Sequence, residues 1–212
     1  AQSPSAIQNN FFNHLKTNSI ILTEKGLLQE ASALKQFVTS FKTTRYKKDF
    51  SIKVNASLDY EIGKLQTNLG VYDVMFLKVM DADNTPKIEF LTMYEKHKFN
   101  FNTATINKIR QEWMRLCNAH ISKNLVEQLY FSNVYYYNRG RLLKGTKEIS
   151  TEYSYMNSPS YSLKLTPKHI VYVSNTIVDE IGQCSGSYPL PYMLVWQKQK
   201  DSTWQILMDS NY

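Results

Sequence analysis

The spacing of hydrophobic residues changes along the chain, and each change marks a predicted element. Leu27, Ala31, Leu34, Val38 and Phe41 recur at helical spacing, which predicts an amphipathic helix over residues 27–43. Phe50, Ile52 and Val54 then alternate with polar residues, as in a half-buried strand. Further strands are expected around 58–66, 71–80 and 87–95, with Asp83-Asn84-Thr85-Pro86 as the turn before the last. A second helix is predicted from 105 to 122. Thr105 would cap it, and Ile106, Ile109, Trp113, Leu116, Cys117 and His120 form its stripe. Four more strands follow, near 169–174, 176–184, 190–199 and 203–211, the last pair joined by Lys200-Asp201-Ser202-Thr203. Helices followed by runs of strands predict an α+β protein with antiparallel sheets, not alternating βαβ units.

The two runs read as copies of one another. Residues 9–18 lie over 124–133, Ile20-Ile21-Leu22 over Tyr135-Tyr136-Tyr137, and Leu27-Leu28 over Leu142-Leu143, all at a shift of 115. Tyr60-Glu61-Ile62-Gly63 matches Asp179-Glu180-Ile181-Gly182 at a shift of 119. Farther on, Val74-Met75-Phe76-Leu77 matches Met193-Leu194-Val195-Trp196, and Ile88-Glu89-Phe90-Leu91 matches Trp204-Gln205-Ile206-Leu207. An ordered set with a slowly drifting shift is the signature of a duplication. The expected domains are 1–100 and 101–212. Nothing before residue 9 mirrors the 105–122 helix, so the first copy is expected to lack its opening helix.

A long helix, a short one, a strand or turn, a third helix and a four-stranded meander is an order that resembles the cone-shaped ketosteroid isomerase-like fold, also called nuclear transport factor 2-like. The ending from Tyr192 to Ile206 resembles the closing hairpin of SnoaL-like members, with an aromatic-rich strand, a charged turn and a Trp-x-Ile strand. The resemblance implies tandem cone-shaped domains, each with helices packed on a curved antiparallel sheet. It also implies a concave, mostly apolar pocket in the complete second copy. Such folds serve isomerases, dehydratases, hydrolases and non-catalytic binding or docking domains, so fold alone carries no function.

Composition narrows the partners. At 42% hydrophobic residues the chain has ample apolar surface for a core. The net charge of +7 is spread evenly, with 13 basic and 10 acidic residues in 1–100, and 12 and 8 in 101–212. Only five of the 25 basic residues are Arg, so a lysine-rich solvated surface is expected and a nucleic-acid partner is not. No apolar run approaches the roughly 20 residues of a membrane-spanning helix. The start at Ala1-Gln2-Ser3, with Pro4 next, suits the mature end of an exported or periplasmic bacterial protein; a cytoplasmic chain trimmed of a tag is the alternative. Two cysteines, Cys117 and Cys184, are too few for a disulfide scaffold, and a bridge between them stays open. His14, His97, His120 and His169 are scattered, so neither a metal nor a cofactor is expected.

Chemistry, if any, rests on carboxylates. Glu180 is the first candidate base, since Glu61 repeats it in the same Glu-Ile-Gly setting; the same repetition also suits a structural role for both. Asp209 is the second. Strand alternation places it opposite Trp204, Ile206 and Met208, with Thr92 or Met93 as its mate in the first copy. Tyr135, Tyr136, Tyr137, Tyr153 and Tyr155 could supply phenol donors or simply fill the core, and Arg139 and Arg141 flank a turn at Gly140. The pocket that the resemblance implies would be lined by Tyr137, Arg141, Tyr153, Glu180, Trp196 and Asp209. The preferred reading is a protein that binds a small apolar or carboxylate-bearing molecule in that pocket. The alternatives are an enzyme with a carboxylate base and a protein-docking module. A homodimer, or an internal pseudo-dimer of the two copies, is expected. The apolar strand residues Val74, Phe76, Ile88 and Phe90 would otherwise lie bare, and Phe99 and Phe101 would be unusual in a free linker.

Overall fold

The structure is a computed structural model and describes residues 10–42, 44–97, 99 and 102–212. The Ser3-Pro4-Ser5 stretch, Asn9 of the repeat match, and Lys98, Asn100 and Phe101 of the predicted connector lie outside the described residues. The chain divides into two compact units, Ala1–His97 and Lys98–Tyr212. Among the described residues no helix is long and apolar enough to cross a membrane.

Unit 1 opens with a 3-10 turn, Phe11–His14, followed by β1 (Leu15–Thr23), β2 (Gly26–Leu28) and α1 (Ala31–Thr39). Four long strands complete it: β3 (Thr44–Asn55), β4 (Leu58–Thr67), β5 (Val71–Met80) and β6 (Pro86–Glu95). Unit 2 begins with α2 (Ala104–Asn118) and α3 (Ser122–Leu129), then β7 (Tyr130–Asn138), β8 (Arg141–Lys144) and α4 (Gly145–Glu152). A 3-10 turn, Tyr153–Asn157, leads to β9 (Leu163–Tyr172), β10 (Ile177–Gly186), β11 (Pro191–Lys198) and β12 (Trp204–Asn211).

The sheets have the same strand order, β2-β1-β6-β5-β4-β3 in unit 1 and β8-β7-β12-β11-β10-β9 in unit 2. Each is antiparallel except for one parallel contact, β1 on β6 and β7 on β12. The expected four-stranded meander is present twice, extended in each unit by a short hairpin to six strands. Each unit thus joins helix to a six-stranded sheet, and the chain is α+β with two domains in tandem.

Several expected boundaries move, for physical reasons. Leu27 and Leu28 are not helical: they pair with Leu22 and Ile21 across the turn at Glu24-Lys25, so α1 starts only at Ala31. The helix expected over 105–122 stops at Asn118, because His120 takes a left-handed φ of 60°, and the short helix that follows starts at Ser122. The turn joining β7 to β8 uses Arg139 and Gly140 at φ 48° and 76°, the paired left-handed conformation that a two-residue hairpin needs.

The larger correction is in register. Strand pairing places Phe76 beside Glu61 and Leu194 beside Glu180, so β5 and β11 correspond at a shift of 118, one residue from the sequence match. Likewise β6 and β12 correspond at 118, which makes Leu91, not Thr92 or Met93, the mate of Asp209. Each last strand also carries a bulge at the equivalent place. Glu89 is the extra residue between Leu77↔Phe90 and Lys78↔Ile88, and Leu207 between Val195↔Met208 and Trp196↔Ile206. A bulge reverses the alternation beyond it. Asp209 therefore lies on the same face as Trp204 and Ile206, contrary to the expectation from simple alternation.

Each unit has its own core. In unit 1 the 3-10 turn drives Phe11 and Phe12 into the sheet, with Phe11 centred 5.5 Å from Phe76 and 5.3 Å from Tyr46. Val74, Phe76 and Ile88 belong to this core with Leu34 of α1, so these three need no outside cover. In unit 2 the α2 stripe of Ile106, Trp113, Leu116 and Cys117 packs with Leu125 and Val126 of α3 over Tyr136, Leu194, Trp196 and Ile206. Among the described residues unit 1 has no counterpart of α2.

Candidate functional site

Glu180 sits on β10 with no exposed surface. Four donors converge on its carboxylate. Arg110 of α2 donates through Nε to Oε1 at 2.7 Å and through Nη2 to Oε2 at 2.6 Å, the bidentate fork of a strong ion pair. The Tyr192 hydroxyl donates to Oε1 at 2.6 Å, and Trp196 Nε1 to Oε2 at 3.0 Å. Each oxygen accepts two hydrogen bonds, so the lone pairs are fully used inside the protein. Gly182, two residues on, makes room for the phenol: a Cβ there would fall 2.2 Å from the Tyr192 ring.

The first copy solves the same problem with different residues. Glu61 is also fully buried, and takes Lys78 Nζ at 3.0 Å on Oε2, where its mate takes Trp196. Lys78 also pairs with Asp59 at 2.8 Å. Tyr46 of β3 lies over Gly63, where a Cβ would approach its hydroxyl to 2.8 Å, and burial followed by the field of Glu61 pushes that phenol far up. By register, Tyr46 occupies the place of Leu165, and Val74 that of Tyr192. The duplicated Glu-Ile-Gly thus marks a buried acid with a phenol over the glycine. The cation comes from α2 in unit 2 and from the neighbouring strand in unit 1.

Asp209 heads a second network. Its Oδ2 accepts the Tyr130 hydroxyl at 2.7 Å and the Tyr153 hydroxyl at 2.5 Å, and Trp113 Nε1 donates to the Tyr130 oxygen at 3.0 Å. Burial raises the Asp209 carboxyl to about 6, against the lowering effect of the two phenols. Asp209 lines a cavity roofed by Tyr155, Tyr161 and Tyr188, with Cys184 and Leu194 in its wall. Such a carboxyl could exchange a proton with a guest near neutral pH. The cavity, however, has only about 20 Å³ of free space, enough for roughly one water.

Of the six residues expected to line the second unit's pocket, only Asp209 borders this cavity. Tyr153 reaches it through Asp209, while Glu180 and Trp196 are bound to each other. Tyr137 is buried beside Ser210, and it is Tyr136 that joins the core and donates to Asn211 at 2.5 Å. Arg141 is exposed and pairs with Glu152 at 2.8 Å. Cys117 and Cys184 are both buried and unbridged. Sequence reasoning missed Arg110, Tyr130 and Tyr192. Arg110 had a signal: it falls on the α2 stripe, four residues after Ile106 and three before Trp113, and an arginine in an apolar stripe requires a buried acid.

Larger spaces lie outside this cavity: a shallow hollow of about 420 Å³ in unit 2, lined by Leu143, Lys147, Glu148, Thr151 and Glu152, and a deeper groove in unit 1. The groove, of about 520 Å³, opens between α1, the β1–β2 turn and the ends of β5 and β6, with Leu28, Phe37, Phe41, Leu69, Tyr72 and Met93 in its walls. No sequence feature singled it out, because its lining comes from four separate segments.

No protein-family profile matches the chain, and no curated protein does. Solved structures match about half of it. A nuclear transport factor 2-like protein of unknown function from Shewanella oneidensis is 22% identical over 51% of this chain and 96% of its own, with a TM-score of 0.45. A ketosteroid isomerase-like protein from Erwinia carotovora atroseptica is 16% identical over 53% of this chain and 95% of its own, with a TM-score of 0.41.

Proposed function

We propose that the protein binds a small apolar molecule without transforming it, and that the guest sits in the groove of unit 1 rather than in the cone of unit 2. One observation carries this reading: the distribution of space. About 520 Å³ is within the usual range for small-molecule sites and about 20 Å³ is not. The hollow of about 420 Å³ in unit 2 has a single apolar side chain, Leu143, in its lining and offers an apolar guest no trough. The chemistry agrees. Glu180 has no lone pair to spare, and Asp209 has too little room above it for a substrate. The filled cone favours a second reading for unit 2 alone, a docking or scaffolding body with a rigid interior.

Titration with the neutral fluorophore Nile red tests the proposal. Binding should weaken at least tenfold in Phe41→Ser, at the groove, and remain unchanged in Tyr155→Ala, at the roof of the cone. The opposite pattern would place the guest in unit 2 and refute the reading.

A further inference from the structure

Resting on the groove reading, we infer that the guest is an apolar amine: an aromatic or alkyl body with a protonated nitrogen at one end. The groove is polarised. One end is aromatic: Phe37 and Phe41 stand 5.1 Å apart, and Tyr72 meets Phe41 edge-on at 5.8 Å. Leu69, 56% exposed, leaves an apolar edge that a guest would cover.

The other end is acidic. Glu24 Oε1 accepts the backbone N–H of Glu95 at 2.5 Å, which draws the β1–β2 turn against β6 and brings two carboxylate side chains to the same mouth. Glu95 and Tyr72 line the same mouth, on either side of Gly70. A single point, the place of a Cβ on Gly70, lies 3.9 Å from Glu95 Oε1 and 4.0 Å from Tyr72 Cε2. Both carboxylates act on the Tyr72 phenol, which burial and then Glu95 and Glu24 push up.

The charge around this mouth runs against the rest of the molecule. The protein carries +7, yet the groove lining holds two acids and one base, Lys25. Among the described residues neither Glu24 nor Glu95 has a basic group within ion-pair distance. Lys96, next to Glu95 in sequence, is turned to Asp73 at 3.0 Å. Two carboxylates with no ion-pair partner among the described residues, beside a tyrosine ring and an apolar trough, are the recognition elements for an ammonium: Coulomb attraction, hydrogen-bond acceptance and a cation–π face. A carboxylate-bearing guest would meet repulsion at the same point.

A matched trio of ligands tests this on the full-length protein by calorimetry and naphthalene fluorescence: 4-(2-naphthyl)butylamine, 4-(2-naphthyl)butanol and 4-(2-naphthyl)butyric acid. The amine should bind roughly tenfold or more tighter than the alcohol, and the acid weakest. In Glu24→Gln/Glu95→Gln, both exposed positions, the amine should fall to the alcohol's affinity while the alcohol stays as in the parent. If the alcohol binds at the groove as well as the amine does, the charge inference fails and the groove reading stands. An amine preference that survives the double substitution also overturns it. If none of the three binds up to millimolar concentration, the groove reading fails as well.

Discussion

Replacing Glu180 by Gln keeps the side-chain shape and removes one charge, so it isolates the worth of the α2–β10 clamp. Arg110 would remain with about 5% of its side chain exposed, and no other acid lies within ion-pair distance of it among the described residues. The amide oxygen can accept from one side of the guanidinium, but the amide NH2 would face the other donors. Breaking a buried pair by removing one partner costs about 3–5 kcal/mol. For a chain of this length each kcal/mol moves the melting temperature by about 2–4 °C, so a loss of roughly 6–20 °C is expected in calorimetry or circular dichroism. Glu61→Gln should cost less, about 1 kcal/mol, because Lys78 keeps Asp59 at 2.8 Å. Removing both partners together, as Arg110→Met with Glu180→Leu, should recover much of the loss, since well-packed apolar pairs replace buried ion pairs at little cost. A Glu180→Gln protein that melts within two or three degrees of the parent, yet no longer binds any guest, would refute this reasoning. Glu180 would then be a site acid, not an anchor.

Asp209 gives a pH test. Its carboxyl is raised by burial to about 6 in the folded protein, so the folded state binds the proton more tightly than the unfolded chain does. The contribution to stability is therefore greatest at low pH and declines as pH rises towards and through about 6. From pH 5 to pH 7 the parent should lose about 1 kcal/mol relative to Asp209→Asn, read from urea unfolding; identical slopes would contradict the burial argument. Gly182→Ala should destabilise unit 2 by about 1–3 kcal/mol or more and move the Tyr192 ring off Glu180, visible as a changed near-ultraviolet dichroism; an unchanged spectrum and melting point would disprove the close fit. The thiols should be inert. Burial lifts Cys117 to about 12 and Cys184 higher still, so a thiol reagent at pH 8 should label neither until the protein unfolds, and stoichiometric labelling of the native protein would exclude the buried placement.

The duplication and the fold class were legible because they depend on properties that survive divergence: element order, hydrophobic period and turn residues. Val71–Met80 could be delimited from the sequence because both faces of the strand are apolar and its ends are marked by turns. The side chains that face each core were harder to read. Alternation assigns faces only in unbroken ladders, and the extra residues Glu89 and Leu207 leave no local mark. Asp49 and Lys168 are a second such pair, between Lys48↔Gly63 and Phe50↔Ile62 in unit 1, and between Ile181↔His169 and Gly182↔Pro167 in unit 2. Only Pro167 hints at its bulge, since proline in a strand settles at edges and irregularities. The partners of Glu180 were hidden for another reason. Arg110 is 70 residues away, and that contact is set by helix docking rather than by spacing. The groove is assembled from loop ends and could not have been found by any periodicity.

The exchanged partners of the two buried glutamates make the halves genetically incompatible. Suppose a crossover joined the first part of unit 2, through β10, to the last two strands of unit 1. Glu180 would then face both Arg110 and Lys78, two buried cations on one acid, with Val74 where its phenol should be. The reciprocal hybrid would crowd Tyr46 and Tyr192 over the single glycine Gly63 and replace the Lys78 cation by the neutral indole of Trp196. Both products carry faults of several kcal/mol, enough to unfold an ordinary domain. Tandem copies that remain alike are prone to recombine and collapse into one. Here the divergent wiring of a single buried carboxylate works against that, because a chain shortened by recombination within the meander would fail to fold.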